Sequence, residues 1–354
     1  MNGERSGAPF LAGVYRGSHL ESFHTGSIAV VASDGRLLAF FGDPSLVTCL
    51  RSAAKPFQAI PLLEYGGVDE FSLSPEEIAL TCGSHGGEPV HVATAAALLR
   101  KGEFDESDLL CGAHVPYDEK AAGDLRAAGE NPSPLHNNCS GKHAGMLLLS
   151  QILDAPTSTY LEADHPVQTL MKNTLAEFAG VEPGEIPTAV DGCGVPTFFL
   201  SLHRTATAYA RLMAGTLEQY AESSAHIVDA MTSFPEYVAG GWSITTQIMK
   251  AFGGELLAKE GAEGLYAMAV SPDLAASLVD RLGVETGASV GIAIKIHDGS
   301  MARGRNPVIL RTLELLGLDT GHIPQIAGHA SWPIANVAGK IVGEARSDFN
   351  LQFL

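Results

Sequence analysis

Positively charged residues are scarce in this sequence. Lys and Arg number 22 against 40 Asp and Glu, so the formal net charge is −18 at pH 7. A field of that sign repels the phosphate backbone of nucleic acids and the anionic surface of membranes. We therefore expect neither nucleic acid nor a membrane as a partner. A small substrate remains compatible with this charge, because a local cationic pocket can exist within an acidic surface.

Long apolar runs and a regular cysteine pattern are also missing. No stretch of about eighteen apolar residues occurs, which excludes an ordinary transmembrane helix, and no apolar run of signal-peptide length follows Arg5. The five cysteines are odd in number and scattered along the chain, which favours reduced thiols over a disulfide framework. We expect a cytoplasmic protein, and a homodimer as the commonest oligomer.

Enough apolar sequence is present for a large folded core. The 354 residues are 45% hydrophobic and 18% charged, which argues against disorder. Two strand-like runs flank Asp34-Gly35 within residues 26–42, and this dipeptide is a strong hairpin signal. Strand character returns at residues 289–296 and 336–345.

The region between these strands has mostly helical patterns. A helix is expected from Ser52 to a glycine stop at Gly66-Gly67, with Pro56 in its first turn. Further helices are expected from residue 74 and over 88–99, 140–153, 164–179, 199–213, 216–232 and 271–282. The sequence thus predicts an α+β fold in one unit. Its antiparallel sheet would come from residues 1–50 and 255–354, with a helical lobe over 51–254.

Ser52-x-x-Lys55 is the first candidate for catalysis. Residues i and i+3 of a helix share a face, about 5–6 Å apart at Cβ, so the lysine amine could reach the hydroxyl. Serine is a weak nucleophile until a base takes its proton, and lysine acts as a base only when its amine is neutral. The apolar neighbours of Lys55, such as Phe57, suit a neutral amine. The alternative is a helix-capping serine beside a solvated lysine, because the tetrapeptide also occurs by chance.

Two other segments could complete such a site. Lys259-Glu-Gly-Ala-Glu-Gly264 is similar to the Lys-Thr-Gly element that accompanies Ser-x-x-Lys in serine β-lactamases, although Glu260 replaces the usual Ser or Thr. Ser84 and His85 lie in a short loop with three glycines, a combination typical of functional loops. Ordinary turns remain the alternative for both segments.

A third group contains thiols and a lysine. Cys139 and Lys142 are again three residues apart at the start of a helix, and Cys193 lies in a later loop. This spacing matches no standard zinc finger and by itself favours buried free thiols. Lysine is also a rare metal ligand, because it binds only when deprotonated.

Taken together, these segments resemble the asparaginase II family, the rhizobial-type (class 3) L-asparaginases. The resemblance rests on five motifs in order and extends from Arg16-Gly17 to Val342-Gly-Glu. The motifs are Arg51-Ser-Ala-Ala-Lys-Pro-Phe-Gln, Cys82-Gly-Ser-His, Asn138-Cys-Ser-Gly-Lys-His, Asp191-Gly-Cys-Gly and Lys259-Glu-Gly-Ala-Glu-Gly.

The resemblance implies a serine β-lactamase/glutaminase-like fold and the hydrolysis of L-asparagine to L-aspartate and ammonia. It also implies two catalytic Ser–Lys pairs, a zinc ion near the site and a substrate pocket. The pairs would be Ser52 with Lys55 and Ser84 with Lys259; the zinc ligands would be Cys139, Lys142 and Cys193; the pocket would include Arg51, His85, His143 and Glu263.

The mechanism expected from these residues is acyl transfer. Ser52 would attack the side-chain amide while Lys55 takes its proton, although Ser84 with Lys259 could serve instead. Zinc bound by two thiolates is a poor water activator, so we expect it to orient substrate and loops. The rival functions are a glutaminase or another serine acyl hydrolase, and a non-catalytic, zinc-stabilised amino-acid-binding protein. Lys295, on a late strand, could also face the cleft.

Overall fold

The computed structural model describes residues 9–318 and 320–354. Its strands are β1 Phe10–Arg16, β2 His19–Ala32, β3 Leu37–Phe41, β4 Val47–Cys49, β5 Thr188–Val190, β6 Pro196–Ser201, β7 Leu256–Glu260, β8 Leu265–Val270, β9 Val290–Ile296, β10 Ser331–Ala335, β11 Ile341–Ser347 and β12 Gln352–Phe353.

The α-helices fill most of the middle of the chain. They are α1 Lys55–Glu64, α2 Gly67–Glu70, α3 Pro75–Thr81, α4 Pro89–Lys101, α5 Glu119–Ala128, α6 Ser140–Ile152, α7 Pro166–Ala179, α8 Leu202–Ala214, α9 Ala221–Ser233, α10 Pro235–Ala239, α11 Ile244–Phe252, α12 Pro272–Ala276, α13 Val279–Leu282, α14 Asn306–Leu316 and α15 Pro324–Ala327. None of the described helices has the length and hydropathy needed to cross a bilayer.

The chain divides into two compact units. Among the described residues, the first contains 9–48, 200–214, 260–318 and 320–354, and the second contains 49–199 and 215–259. The boundaries expected from the sequence, 1–50 with 255–354 and 51–254, stay a prediction.

An antiparallel sheet is the centre of the first unit. Its strands lie in the order β10-β11-β1-β2-β9-β8, with β3 paired to β2 and β12 to β3. The predicted hairpin is confirmed, because β2 and β3 pair across a turn in which Gly35 has a φ of 93°. Helix α8 packs on β2 and β9, and Gly291 permits this close approach, since a Cβ there would lie 1.9 Å from Ala206 O. The predicted α+β class, with an antiparallel sheet from both parts of the chain, is confirmed.

One predicted strand starts later than expected. Residues 336–340 form a turn in which Asn336 Oδ1 accepts hydrogen bonds from the backbone N–H groups of Ala338 and Lys340, at 3.0 and 2.9 Å. An asparagine side chain that bonds its own backbone two residues on competes with extended structure. Strand β11 therefore begins at Ile341.

Helix α1 is the central helix of the second unit. Every residue from Lys55 to Leu63 is buried, and the helix packs against α6, α7 and α9. Pro56 lies in its first turn, where a missing N–H costs no helical hydrogen bond. The predicted helix is confirmed, except that residues 51–54 form a 3₁₀ turn before α1 begins at Lys55.

Candidate active site

Ser52 lies in the 3₁₀ turn that leads into α1. The turn starts at Arg51, whose φ of 47° places a non-glycine residue in the left-handed region. Such a conformation costs of order 1 kcal/mol, and strained residues of this kind cluster at functional sites. The Ser52 residue is partly exposed, whereas Ala53 and Ala54 behind it are buried. The sequence thus presents one hydroxyl at the head of an otherwise buried helix.

Lys55 is 1% exposed, and its amine lies among polar groups of the second unit. Nζ donates to the backbone oxygen of Gly83, lies 3.2 Å from the backbone oxygen of Asn138, and lies 3.0 Å from Ser84 Oγ. Within the described residues these partners do not include Ser52 Oγ. The hydrogen bond expected from the i, i+3 spacing is therefore absent here, and the amine bonds to a serine 29 residues further along the chain.

Lys259 approaches the same hydroxyl from strand β7. Its side chain is fully buried, and its Nζ lies 2.9 Å from Ser84 Oγ. The Ser84 hydroxyl is thus bonded to two buried lysine amines. Lys55 precedes it by 29 residues, and Lys259 follows it by 175 residues. Ser84 and Lys259 are in contact, and Lys55 joins them.

The number of hydrogens on the Lys55 amine determines what this contact can do. Two carbonyl oxygens, those of Gly83 and Asn138, each require an N–H donor from Nζ. A neutral amine has two such hydrogens and one lone pair, which is then left for the O–H of Ser84. An ammonium would instead donate its third hydrogen to Ser84 Oγ. The arrangement therefore accommodates both protonation states of Lys55 without moving a heavy atom, as proton transfer requires.

The loop that carries Ser84 is fixed by backbone contacts. The Ser84 N–H donates to Val238 O at 2.7 Å. A Cβ at Gly83 would lie 2.5 Å from Tyr237 O, so only glycine fits between the two backbones. These contacts explain why a glycine precedes Ser84. The contact between the Gly83 carbonyl group and Lys55 could not be predicted from the sequence, because every residue has a backbone carbonyl group.

His85, expected to bind substrate, is completely buried. The Gly87 N–H donates to its Nδ1 at 3.1 Å, and its Nε2 lies 2.9 Å from Ser140 Oγ. Burial lowers the pKa of His85 well below its ordinary value, with further contributions from the charges of His91 and Lys55. Both ring nitrogens already have partners within the protein.

Arg51 pairs with an acidic residue of the later loop. Its Nε lies 2.8 Å from Asp191 Oδ1, and the two side chains are 31% and 11% exposed. Asp191 belongs to the Asp-Gly-Cys-Gly motif, but the sequence alone did not assign it a role. The ion pair links the turn that holds Ser52 to the loop that holds Cys193.

The structure brings Cys139, Lys142 and Cys193 together in one cluster. Lys142 Nζ lies 3.1 Å from Cys193 Sγ, and all three residues are buried. A hydrogen bond from the Cys193 thiol lowers the pKa of Cys139 well below its ordinary value, against the effect of burial and with help from Lys55 and Lys142. The same bond raises the pKa of Cys193. Burial lowers the pKa of Lys142, but the negative charge of Cys139 and the contacts with Cys193 outweigh it, so that pKa is raised.

The other cysteines differ from this cluster. Burial raises the pKa values of Cys82 and Cys111 to about 12, which keeps both as neutral thiols. All five cysteines are unpaired.

The donor chemistry of the cluster fits a zinc ion. Two thiols and an amine are among the ligands zinc accepts, and three protein ligands leave one position open. Among the described residues, no group of three or more His, Cys, Asp or Glu side chains is arranged to hold a metal ion. The cluster has only two side chains of those types, and Lys142 would have to lose its proton to bind.

His143 lies next to Lys142 on α6 and is also completely buried. Its Nδ1 lies 2.8 Å from the hydroxyl of Tyr160, which in turn accepts a hydrogen bond from the Leu110 N–H. Its Nε2 is buried without a hydrogen-bond partner in the described part of the chain. Burial lowers the pKa of His143 well below its ordinary value, and the charges of Lys142 and Lys55 act in the same direction.

Glu263 and Lys295 belong to the first unit. Glu263 lies in the turn between β7 and β8 with a φ of 58°, and its backbone oxygen accepts a hydrogen bond from Lys295 Nζ at 2.5 Å. Lys295 also donates to Ile296 O at 2.5 Å. Its amine therefore supports this turn, and the sequence had left its role open.

A comparison with family models assigns the chain to a family. The model described as L-asparaginase II matches residues 12–347, nearly the whole length. The chain belongs to the L-asparaginase II family. No curated protein matches the chain.

Several solved structures are similar to the chain at low identity. Mglu in its native form is 16% identical with a TM-score of 0.44, over 84% of this chain and 66% of that one. Mglu in its native form in the presence of 4.3 M NaCl is 15% identical with a TM-score of 0.43, over 82% of this chain and 60% of that one. The probable glutaminase from Bacillus subtilis complexed with 6-diazo-5-oxo-L-norleucine is 14% identical with a TM-score of 0.39, over 83% and 85%.

The chain thus spans less than two thirds of the length of these two Mglu chains. The α+β class is given by the strands and helices of the chain itself, and its serine β-lactamase/glutaminase-like character stays a prediction.

Proposed function

We propose that this member of the L-asparaginase II family is an L-asparaginase, which hydrolyses L-asparagine to L-aspartate and ammonia through a serine acyl-enzyme. The observation that carries the proposal is the bonding of one hydroxyl, Ser84 Oγ, to the buried amines of Lys55 and Lys259, at 3.0 and 2.9 Å. Family membership supports amide hydrolysis in general. The choice of asparagine is the part that needs experiment.

In the first step Ser52 Oγ attacks the side-chain amide carbon, and its proton goes to neutral Lys55. Ser52 is three residues before Lys55 and partly exposed, so substrate can reach its hydroxyl. The Lys55–Ser52 contact would form when substrate binds, since catalytic hydrogen bonds are often incomplete in a free enzyme. The product of the step is a tetrahedral adduct with one new C–O bond and a negative oxygen.

In the second step the adduct collapses and the C–N bond breaks. The chain of Lys55, Ser84 and Lys259 would deliver the proton that the nitrogen needs to leave as ammonia. Water then attacks the β-aspartyl ester with Lys55 as base, which releases aspartate and restores Ser52. This scheme gives Ser84 a relay function that agrees with its position between two amines.

The opposite assignment, with Ser84 as nucleophile, is favoured by one observation. Ser84 Oγ, and not Ser52 Oγ, is the hydroxyl bonded to Lys55. The site of the covalent adduct decides between the two serines, because the nucleophile carries the acyl group and the relay residue does not.

The proposal also includes a zinc ion held by Cys139, Lys142 and Cys193. When bound, zinc would supply a fixed positive charge that orients the substrate. Arg51 is assigned to substrate binding, with its guanidinium oriented by Asp191 and its side chain 31% exposed. The buried His143 would contribute through its unpartnered Nε2. A role of Glu263 and His85 in substrate binding stays an expectation from the family resemblance.

Ammonia release from a substrate panel tests the function. The purified chain should release ammonia from L-asparagine faster than from L-glutamine and should not hydrolyse nitrocefin. A Ser158→Ala variant is a matched control, because Ser158 is exposed on a short 3₁₀ turn. Faster release from glutamine would make the chain a glutaminase, and asparagine binding without ammonia release would make it a binding protein.

We retain the expectations of a homodimer and of the cytoplasm as part of this proposal. The five unpaired cysteines support a reducing compartment. Light scattering after size-exclusion chromatography would test the homodimer, since a monomer mass contradicts it.

A further inference from the structure

His85 has a single tautomer, which its hydrogen bonds define. Because the Gly87 N–H donates to Nδ1 at 3.1 Å, that nitrogen has no proton of its own. The ring proton is therefore on Nε2, 2.9 Å from Ser140 Oγ. Burial, together with the nearby charges of His91 and Lys55, lowers the pKa of the ring and so keeps it neutral.

Ser140 continues the same hydrogen-bond chain. Its hydroxyl is completely buried and donates to Leu135 O at 3.1 Å. The lone pairs of Ser140 Oγ are then available to accept from His85 Nε2. Every hydrogen bond from His85 to Leu135 thus has a defined direction, and the His85 and Ser140 side chains are both completely buried.

This chain joins two segments that both hold Lys55. One segment is the Ser84 loop, which provides Gly83 O and Ser84 Oγ to the amine. The other segment leads into α6 and provides Asn138 O at 3.2 Å, two residues before Ser140. The His85–Ser140 bond is a side-chain link between these segments. A shift of one segment against the other would change the partners of Lys55.

We propose that His85 is a positioning residue, whose Nε2–H bond to Ser140 sets the distance between Ser84 Oγ and Lys55 Nζ. The imidazole is buried with both nitrogens occupied, so it acts through Ser84 and Lys55. A displacement of about 1 Å in such a pair can reduce the rate about 100-fold. This role of His85 rests on the proposed function only in the tests that measure hydrolysis.

Kinetics of matched variants provide the first test. His85→Leu removes the donor and should lower kcat about 100-fold while KM stays within about threefold. His85→Gln places an amide N–H near the position of Nε2, so its kcat should be at least about tenfold higher than that of His85→Leu. Ser140→Ala should resemble His85→Leu, whereas Ser140→Thr keeps the hydroxyl and should approach wild type. The control is His226→Gln, because His226 is exposed in the same unit.

The losses of kcat in the His85 and Ser140 single variants should also not be additive. If His85 and Ser140 act through one bond, the double variant His85→Leu/Ser140→Ala should be within about threefold of the worse single variant. Fully additive losses would mean that the two residues act separately and would overturn the proposal.

A second test does not depend on catalysis. In protein labelled with ¹⁵N at lysine Nζ, the Lys55 resonance is assigned by its loss in Lys55→Arg. It should move in His85→Leu and in Ser140→Ala, and stay in place in His226→Gln. If His85→Leu does not fold, Ser140→Ala serves both tests. An unmoved Lys55 resonance, or a folded variant with kcat within about threefold of wild type, overturns the proposal. A wild-type chain that hydrolyses no amide would refute the proposed function and leave the resonance test valid.

Discussion

Lys259 and Ser84 are 175 residues apart in the sequence, yet Lys259 Nζ lies 2.9 Å from Ser84 Oγ. Both groups belong to the second unit, and the lysine is fully buried. Lys55 Nζ lies 3.0 Å from the same oxygen. A hydroxyl between two buried amines has little purpose in packing, because buried amines are costly unless paired. The arrangement is suited to proton transfer.

Removal of the second amine should reduce the rate and leave the fold intact. Lys259→Met keeps the length of the side chain but has no proton to relay, so we expect kcat to fall about 100- to 10,000-fold, the range of general acid–base catalysis. Lys120→Met is the control, since the Lys120 side chain is 83% exposed. Steady-state ammonia release measures both variants. Wild-type kcat in Lys259→Met would exclude this amine from the proton path.

Zinc content should depend on Cys193. Cys193→Ser removes one thiol from the cluster with Lys142, and we expect loss of most bound zinc, because serine is a poor zinc ligand at neutral pH. Elemental analysis after dialysis measures the ratio of zinc to chain.

Cys49→Ser is the control for this experiment. Cys49 bonds to Thr197 Oγ1 at 3.3 Å, a contact that serine can keep. Equal zinc in the wild type and in Cys193→Ser would contradict the assignment of this ligand. A wild type without zinc would contradict the whole ligand set.

The Arg51–Asp191 ion pair should matter more than exposed ion pairs. Asp191 is only 11% exposed, so Asp191→Asn should raise KM and lower the free energy of unfolding by about 1 kcal/mol, discounted for the partly exposed arginine. Glu21→Gln breaks the Arg16–Glu21 pair, whose side chains are 53% and 49% exposed, and should cost at most about 0.5 kcal/mol. Urea denaturation and steady-state kinetics compare the two. Equal effects on stability and no change in KM would contradict the prediction.

His85 should also contribute to acid sensitivity. Its pKa is lowered in the folded chain, so between its folded pKa and the unfolded value of about 6.5 only the unfolded chain binds this proton. The stability from this group is therefore complete above about pH 6.5. As the pH falls below that value, it is lost by up to about 1.4 kcal/mol per pH unit.

The measurement is the free energy of unfolding in urea between pH 5.5 and 7.5. His85→Gln has no titrating ring, so its loss of stability on acidification should be smaller than that of the wild type. His226→Gln, which changes an exposed histidine, should follow the wild type. Parallel curves for wild type and His85→Gln would show that His85 titrates equally in both states.

Local signals predicted much of the fold. The Asp34-Gly35 hairpin, helix α1 and the strand at 290–296 follow from turn residues and hydrophobic periodicity. Asn336 shows where this fails, because its side chain forms hydrogen bonds within a turn that the apolar pattern did not indicate.

The site itself needed the tertiary structure. The i, i+3 spacing placed Lys55 beside Ser52, but a four-carbon side chain can reach in several directions, and its amine bonds to Gly83, Ser84 and Asn138. Two of these contacts are to backbone carbonyl groups, which every residue has. The family resemblance implied that His85 binds substrate, and its complete burial could not be read from the sequence.

The central claim, a serine acyl-enzyme formed on Ser52, is tested most directly by mass spectrometry of protein quenched in acid during turnover of L-asparagine. We predict one aspartyl group on the peptide that contains Ser52, retained in Ser158→Ala and absent in Ser52→Ala. An aspartyl group on the Ser84 peptide that persists in Ser52→Ala, or turnover with no adduct on either peptide, would contradict it.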